Sequence, residues 1–252
     1  MSLSGFGLVM RSIIFWGLLP FVMPQAIYVR KTAPRFSAAG GPQDGVVGSG
    51  KNVHLIAIGD SIIAGVGATT LAKALVGQTA EKLSRLCNCS ITWKTLGRIG
   101  AVSKQVIEQL VPQLPEKRPD VLVVSAGVND ITSLSSVAKW RKHLSTLLEA
   151  LGTYAPDAII AVAGIPPLRG FPILPQPMRA LFGIRGETFD KVARQVIAQH
   201  ENTIHVPLDF EPEPQMFSAD GFHPSEESYL VFGEMMAYGI AARLKAVESK
   251  NT

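Results

Sequence analysis

Five short apolar runs punctuate this sequence, and each has the length of a buried β-strand. The most apolar, VLVVSA at residues 121–126, suits the centre of a parallel sheet that is covered by helices on both faces. The five predicted strands are residues 53–58, 91–96, 121–126, 159–163 and 203–206. Such strands need helices between them, because parallel neighbours are joined by long crossover connections.

Segments with the length and pattern of helices separate the strands. One begins at residue 69 or 70 and runs to about residue 86, with Leu71, Leu75 and Leu83 on one face. A long loop and a further helix follow the fourth strand. The other predicted helices are residues 103–114, 135–151 and 225–247. Right-handed crossovers then predict a three-layer α/β/α sandwich around a five-stranded, parallel, doubly wound sheet.

The N-terminal segment has a different character. Residues 12–29 contain no charged side chain, and Arg11 and Arg30 flank them. This is about the minimum length for crossing a bilayer and exceeds the usual apolar part of a signal peptide. We favour a membrane anchor. A cleaved signal peptide, which would export the protein, and a helix packed on the protein itself are the alternatives.

The expected organisation is therefore an anchor or signal segment at 1–32, a linker at 33–51 and an α/β domain at 52–248. The linker is rich in glycine, alanine and proline. Slightly more positive charges follow the apolar segment than precede it, which favours a cytoplasmic domain by a small margin and leaves the membrane face open. Residues 45–52 approach a phosphate-binding loop, but no strand precedes them and no helix follows, so we expect no nucleotide site.

Composition excludes several classes of protein. The net charge of +4 is concentrated near the N-terminus, without a basic stripe interleaved with aromatics, so we expect no nucleic-acid partner. Cys87 and Cys89 are separated by one residue, where a disulfide would be strained, and we expect two thiols that are not joined in a disulfide, with a redox pair as the alternative. The oligomeric state is not constrained.

Chemically useful residues follow the ends of separate predicted strands. Ser61 follows the first, Gly97 the second and Asn129 the third, while Asp220 and His223 lie in a loop before the last helix. Parallel strands bring their carboxyl ends to one edge, where open α/β sheets bind ligands. Each motif alone also fits an ordinary turn or helix cap, so the prediction of an enzyme rests on their combination.

These residue types match nucleophilic catalysis. Ser61 needs a base to take its proton, and His223 is the histidine that lies in a loop with an acid, Asp220, three residues before it. Backbone N–H groups of Ser61 and Gly97 and the side-chain amide of Asn129 are candidates for an oxyanion hole.

The motifs resemble those of the SGNH or GDSL-type serine hydrolases. GDSIIAGVGA contains Ser61, LGRIGA contains Gly97, GVND contains Asn129, and DGFHPS contains Asp220 and His223. The first motif reads GDSI rather than GDSL. The resemblance implies a flavodoxin-like sheet and the hydrolysis of esters or thioesters through an acyl-enzyme, with no metal ion or other cofactor.

The substrate is left open by the sequence. The segment 165–185 follows the fourth strand, and we expect it to form a pocket wall or lid with Arg169, Phe171, Arg179 and Arg185 as substrate-binding residues, or else a rigid connection. Lipid-like esters such as lysophospholipids, acyl thioesters and small acetyl esters on sugars all fit. So do acyl transfer to another alcohol and a non-catalytic binding module.

Overall fold

The computed structural model describes residues 5–208, 210 and 212–248; residues 1–4 of the expected anchor lie outside this part. Within it, one sheet has the strand order β1-β3-β2-β4-β5-β6. Strands β2 to β6 pair in parallel, which confirms the predicted doubly wound architecture. The strands are β1 (Asp44–Val47), β2 (Asn52–Gly59), β3 (Ser90–Gly97), β4 (Val121–Ser125), β5 (Ile159–Ala163) and β6 (Thr203–Val206).

The predicted count of five strands was wrong, because the described sheet has six. The additional strand β1 lies in the segment expected to be a linker and pairs antiparallel with β3, with Gly45 opposite Trp93. A Cβ at residue 45 would lie 2.7 Å from the Trp93 ring, so glycine is required there. Before β1, the backbone N–H of Ala39 donates to the carbonyl oxygen of Ala64, and that of Gly40 donates to the carbonyl oxygen of Thr69. Residues 39–47 are therefore part of the folded domain.

Helices cover both faces of the sheet. Helices α2 and α7 pack against each other on one face, and α3, α5 and α6 lie on the other with α1 outside α6. Helix α3 continues as the π-helical turn Val106–Leu110 and the 3₁₀ turn Val111–Gln113. The helices are α1 (Gly5–Thr32), α2 (Leu75–Cys87), α3 (Ser103–Gln105), α4 (Val128–Thr132), α5 (Val137–Tyr154), α6 (Met178–Ile197) and α7 (Glu226–Glu248).

Alternation along the strands divides the apolar side chains between two cores. Leu55 and Ala57 of β2 belong to the core under α2 and α7, whereas Ile56 and Ile58 belong to the core under α5 and α6. Because successive strand residues point to opposite faces, a continuous apolar run is what a doubly covered sheet requires.

Helix α1 packs on the domain along one face. Phe15, Leu19 and Val22, spaced by about one helical turn, are buried against the core that includes Phe182 of α6. The other faces of α1 remain apolar and exposed; Phe21, for example, is 79% exposed. From Gly7 to Thr32 the helix is long and apolar enough to cross a bilayer, with a mean hydropathy of 1.6.

The register of the sheet gathers the motif-bearing strand ends. Gly59 at the end of β2 lies opposite Gly97 of β3 on one side and Ser125 of β4 on the other. The turns that follow these strands therefore begin beside one another at one edge of the sheet.

Candidate active site

The turn after β2 positions Ser61. Gly59 has a φ of 154°, and a Cβ there would lie 2.0 Å from the carbonyl oxygen of Ser125. Only glycine allows β2 and β4 to approach this closely. The N–H of Val66 donates to the carbonyl oxygen of Ser61 at 3.0 Å and closes the turn. Ser61 is left at the carboxyl end of β2, largely buried.

Asp60 stabilises this turn from below. It is buried, and its Oδ1 accepts hydrogen bonds from the N–H of Ile62 at 3.1 Å and from the hydroxyl of Ser125 at 3.0 Å. Burial raises the pKa of Asp60 to about 6, although both hydrogen bonds act in the opposite direction. These contacts give Asp60 a structural role, since they join the Ser61 turn to β4.

The loop before α7 holds Asp220 against the backbone of its own turn. Its Oδ1 accepts three hydrogen bonds of 2.8 Å, from the hydroxyl of Ser218 and from the N–H groups of Phe222 and His223. Oδ2 is thereby directed towards the ring of His223, whose Nδ1 lies 2.5 Å away. The spacing of three residues is therefore enough to orient the imidazole.

Ser61 completes a chain of three side chains. Its Oγ lies 3.0 Å from His223 Nε2, the ring nitrogen that faces away from Asp220. Burial alone would raise the pKa of Asp220, but the hydrogen bonds from His223, Phe222 and Ser218 outweigh it and lower the pKa to about 2. The carboxylate is ionised at neutral pH, so it is an acceptor for a proton on Nδ1 of His223, and in that tautomer Nε2 is the acceptor that faces Ser61.

Asn129 enters the same cavity from α4. Its side-chain amide donates one hydrogen bond to the carbonyl oxygen of Ala101 at 3.0 Å, and the second amide hydrogen is available to another acceptor. Asn129 and Ser61 both line the cavity. Gly97 packs behind the Ser61 turn and is not among the lining residues; a Cβ there would lie 2.3 Å from the nitrogen of Ala64.

Asp130 holds the loop that follows Gly97. Its two carboxylate oxygens accept from the N–H of Ser103 at 2.8 Å and from the Ser103 hydroxyl at 2.6 Å. Burial raises the pKa of Asp130, and the bonds from Ser103 oppose that rise. Asp130 therefore links the beginning of α3 to α4, beside Asn129.

The cavity around Ser61 is mainly apolar and aromatic. The ring centroid of Phe171 lies 5.1 Å from that of Phe217 and 5.3 Å from that of Phe222, and Phe222 lies 5.1 Å from the His223 ring. Of these phenylalanines, sequence analysis identified only Phe171. The position of Phe222 beside His223 in the sequence is the signal that indicates its role. Other apolar lining residues are Ile62, Val128, Pro166, Phe210, Met216, Pro224 and Phe232.

Two arginines expected at the substrate make other contacts. Arg169 is exposed, with Nη1 3.3 Å from Oε1 of Glu187. Arg179 donates from Nε to the carbonyl oxygen of Leu174 at 2.6 Å, within its own loop. Neither lines the cavity that contains Ser61.

Arg185 likewise lies outside that cavity, beneath α1. It is 1% exposed, and its guanidinium carbon lies 4.4 Å from the ring centroid of Phe15 and 4.7 Å from that of Phe189. Burial lowers the pKa of Arg185 to about 10. Its contact with Phe15 is a cation–π interaction that attaches α1 to α6.

Comparisons with known proteins agree with the geometry. The model of the GDSL-like lipase/acylhydrolase family matches residues 57–231. A curated GDSL-like esterase of Mycobacterium tuberculosis is 28% identical over an alignment 242 positions long, and the alignment covers 88% of this chain and 76% of that protein.

Solved structures share the fold. The family 3 carbohydrate esterase of Clostridium thermocellum superposes with a TM-score of 0.63 at 19% identity, covering 78% of this chain and 99% of that one. The lipase/acylhydrolase of Enterococcus faecalis gives 0.61 at 22% identity, covering 76% and 96%. At these identities the structural likeness supports the fold, while the matched family model and the shared motifs assign the family. The chain belongs to the GDSL-like lipase/acylhydrolase family and is an SGNH-type ester hydrolase.

Proposed function

We propose that the chain hydrolyses carboxylic esters or thioesters through a covalent acyl-enzyme, with Ser61 as nucleophile, His223 as base and Asp220 as the group that orients His223. The supporting observation is the continuous pair of short contacts, 2.5 Å from Asp220 Oδ2 to His223 Nδ1 and 3.0 Å from His223 Nε2 to Ser61 Oγ. A serine hydroxyl becomes nucleophilic only when such a base takes its proton.

The reaction has two halves. Ser61 Oγ forms a bond to the carbonyl carbon while its proton moves to His223 Nε2, and the carbonyl oxygen becomes an oxyanion. The tetrahedral intermediate collapses, the ester C–O bond breaks, and His223 returns the proton to the departing alcohol. Water then repeats the sequence on the acyl-enzyme, with His223 again as base, and releases the acid and free Ser61.

The oxyanion needs donors that are already oriented. We assign this role to the N–H group of Ser61 and to the amide hydrogen of Asn129 that is not bonded to Ala101, since both residues line the cavity. Gly97, the third donor expected from its motif, lies behind the Ser61 turn and would contribute only its backbone N–H. Asn129 is held by α4 and by its hydrogen bond to Ala101, so its amide is fixed before substrate arrives. The charge of Asp220 meanwhile stabilises the imidazolium form of His223.

The nucleophile is tested with a fluorophosphonate serine probe and a p-nitrophenyl ester. Wild type should be labelled and active, and Ser61→Ala should lose both, with kcat lowered on the order of 10⁶-fold. Ser84→Ala is the matched control, because Ser84 is also a buried serine but its hydroxyl donates to the carbonyl oxygen of Cys89. Labelling that persists in Ser61→Ala would rule out this nucleophile.

The cavity favours an apolar acyl group. Phe171, Phe217 and Phe222 surround the approach to His223, and apolar surface is stabilised by burial at about 25 cal/mol per Å². We therefore propose lipid-like esters or thioesters as substrates. An optimum at p-nitrophenyl acetate within a series of lengthening acyl chains would instead indicate small acyl groups, and transfer to an added alcohol would indicate a transferase.

We also propose that α1 stays on the mature protein and associates with a membrane. Its buried face binds the domain through Phe15, through Arg185 and through the ion pair of Arg11 with Glu187 at 2.9 Å. Its outer face exposes large apolar side chains such as Ile13 and Phe21, and contact with a bilayer would remove this surface from water. The hydrolase domain proper then includes residues 39–47 as well as 52–248.

Flotation with phospholipid vesicles tests the membrane proposal. The full chain should float with vesicles, and Phe21→Glu with Ile13→Glu should stay in solution, because both side chains are on the exposed face. Leu230→Glu is the control, since Leu230 is a comparably exposed apolar residue on α7. Equal flotation of all three proteins would contradict a role for α1.

A further inference from the structure

A second apolar groove lies beside α1 and reaches the loop that carries Asp220 and His223. It has a volume of about 480 Å³ and lies between α1 and the domain. One wall comes from Leu19, Met23 and Ala26 of α1, and the opposite wall includes Ile173 and Met178. Since its lining also includes Asp220, Phe222 and His223, the groove is continuous with the catalytic residues.

The wall formed by α1 is fixed to the domain. The side chain of Gln25 donates from Nε2 to the carbonyl oxygen of Gln176 at 2.7 Å and accepts from the N–H of Met178 at 3.1 Å. Val22, a turn before, is buried against the domain. These contacts lie on the same stretch of α1 that lines the groove, so the groove keeps its shape without a ligand.

The chemistry of the lining limits what the groove can bind. Most lining side chains from α1, from the loop before α6 and from α6 itself are aliphatic or aromatic. The polar lining residues are Arg30, Thr132, Ser133, Asp220 and His223. An alkyl chain suits such a surface, whereas a sugar would leave its hydroxyl groups without partners. From Leu19 to Arg30 the helix rises about 16 Å, which gives room for a long chain.

We propose that this groove binds the acyl chain of a lipid ester, and that α1 thereby sets the chain-length preference of the enzyme. The inference rests on the proposed serine mechanism only in placing the ester carbonyl at Ser61. Substrate would reach the groove from the bilayer, since the face of α1 that carries Phe21 and Tyr28 is exposed and apolar beside it. One helix then provides both membrane contact and a wall of the substrate site.

Filling the groove from α1 tests the proposal. Ala26→Trp places a large ring in the groove, and Leu18→Trp is the matched control because Leu18 is 49% exposed and does not line the groove. Each methylene buried in the groove raises kcat/KM about fourfold. A ring that excludes three or four methylenes from the groove should therefore lower kcat/KM for p-nitrophenyl dodecanoate about 100-fold. Hydrolysis of p-nitrophenyl acetate should be unchanged in Leu18→Trp, and Ala26→Trp should lower kcat/KM much less for the acetate than for the dodecanoate.

Direct binding separates this inference from the proposed mechanism. Dansyl-undecanoate, a fluorescent fatty acid, is titrated into Ser61→Ala protein that carries either Ala26→Trp or Leu18→Trp as a second substitution. Weaker binding with Ala26→Trp than with Leu18→Trp supports the groove, even if wild type were to hydrolyse no ester and the proposed mechanism failed. Met23→Trp is the second variant in case Ala26→Trp does not fold. Unchanged binding and unchanged chain-length preference in the folded variants would overturn the inference.

Discussion

The substitution Asp220→Asn tests how the charge of Asp220 and the position of the proton on His223 affect the proposed catalysis. Three donors converge on Oδ1, from Ser218, Phe222 and His223, whereas Oδ2 faces only the imidazole. An asparagine has one acceptor oxygen, and it will take the position of Oδ1 to keep those bonds. The amide NH₂ then faces Nδ1 of His223. Nδ1 must accept, the ring proton moves to Nε2, and Nε2 can no longer take the proton of Ser61.

The expected loss of activity is large while the loop stays folded. Wrong tautomers of this kind lower kcat on the order of 10⁴-fold in serine proteases. The free energy of unfolding should fall by less than the activation free energy of catalysis rises. The pKa of Asp220 is lowered from 3.8 to about 2, and a shift of that size corresponds to about 2.5 kcal/mol of folding stability. Because the pKa is lowered by folding, this contribution is fully present above pH 4 and is lost as the pH falls towards 2.

A second aspartate–histidine pair provides the control. Oδ1 of Asp190 lies 2.8 Å from Nε2 of His205, and both side chains are mostly buried, but neither lines the cavity of Ser61. Steady-state hydrolysis of a p-nitrophenyl ester at neutral pH and urea unfolding at pH 7 and pH 3 are measured for both asparagine variants. Asp190→Asn should lose stability and keep its kcat. If Asp220→Asn retained kcat within tenfold of wild type, the orienting role would be refuted.

Three further predictions concern the strand ends. Asn129→Ala should lower kcat for p-nitrophenyl esters by about 10²- to 10³-fold with little change in KM, because one oxyanion donor is lost. A rise in KM with kcat unchanged would argue against that role. Gly59→Ala should lower the free energy of unfolding in urea by at least about 2 kcal/mol, since its Cβ would lie 2.0 Å from the Ser125 carbonyl oxygen, whereas Gly152→Ala has open space and should not. Asp60→Asn should become more stable relative to wild type as the pH rises from 4 to 6.5. The pKa of Asp60 is raised by folding from 3.8 to about 6, so wild type loses about 2 kcal/mol over that interval, and parallel stability curves from urea titrations would exclude the effect.

Sequence patterns predicted the parallel part of the sheet closely. The predicted strands at 159–163 and 203–206 have the bounds of β5 and β6, and the other three differ by a residue or so at their ends. Buried parallel strands are continuous apolar runs, a signal that local sequence carries in full. Strand β1 was missed because it is short and lies at the sheet edge, where Gly45 makes room for Trp93.

The proposed catalytic groups could also be selected from the sequence, for a similar reason. Asp220 and His223 are three residues apart, so their contact depends on one loop, and Ser61 follows directly after a strand. The arginines of segment 165–185 gave no comparable signal. An arginine can meet a substrate, a carboxylate or an aromatic ring, and Arg185 contacts Phe15 of α1, which only the folded chain brings to it.

The sequence by itself therefore determined the parallel strands and the family, and it is the source of the proposal for the reacting side chains, because each follows from residues close together in the chain. The tertiary structure decided what depends on distant segments. It placed Ser61 3.0 Å from His223, although 162 residues separate them, through the parallel order of the strands. It also laid α1 along the domain instead of leaving it free, because burial of Phe15, Leu19 and Val22 requires a surface that exists only after α6 has packed.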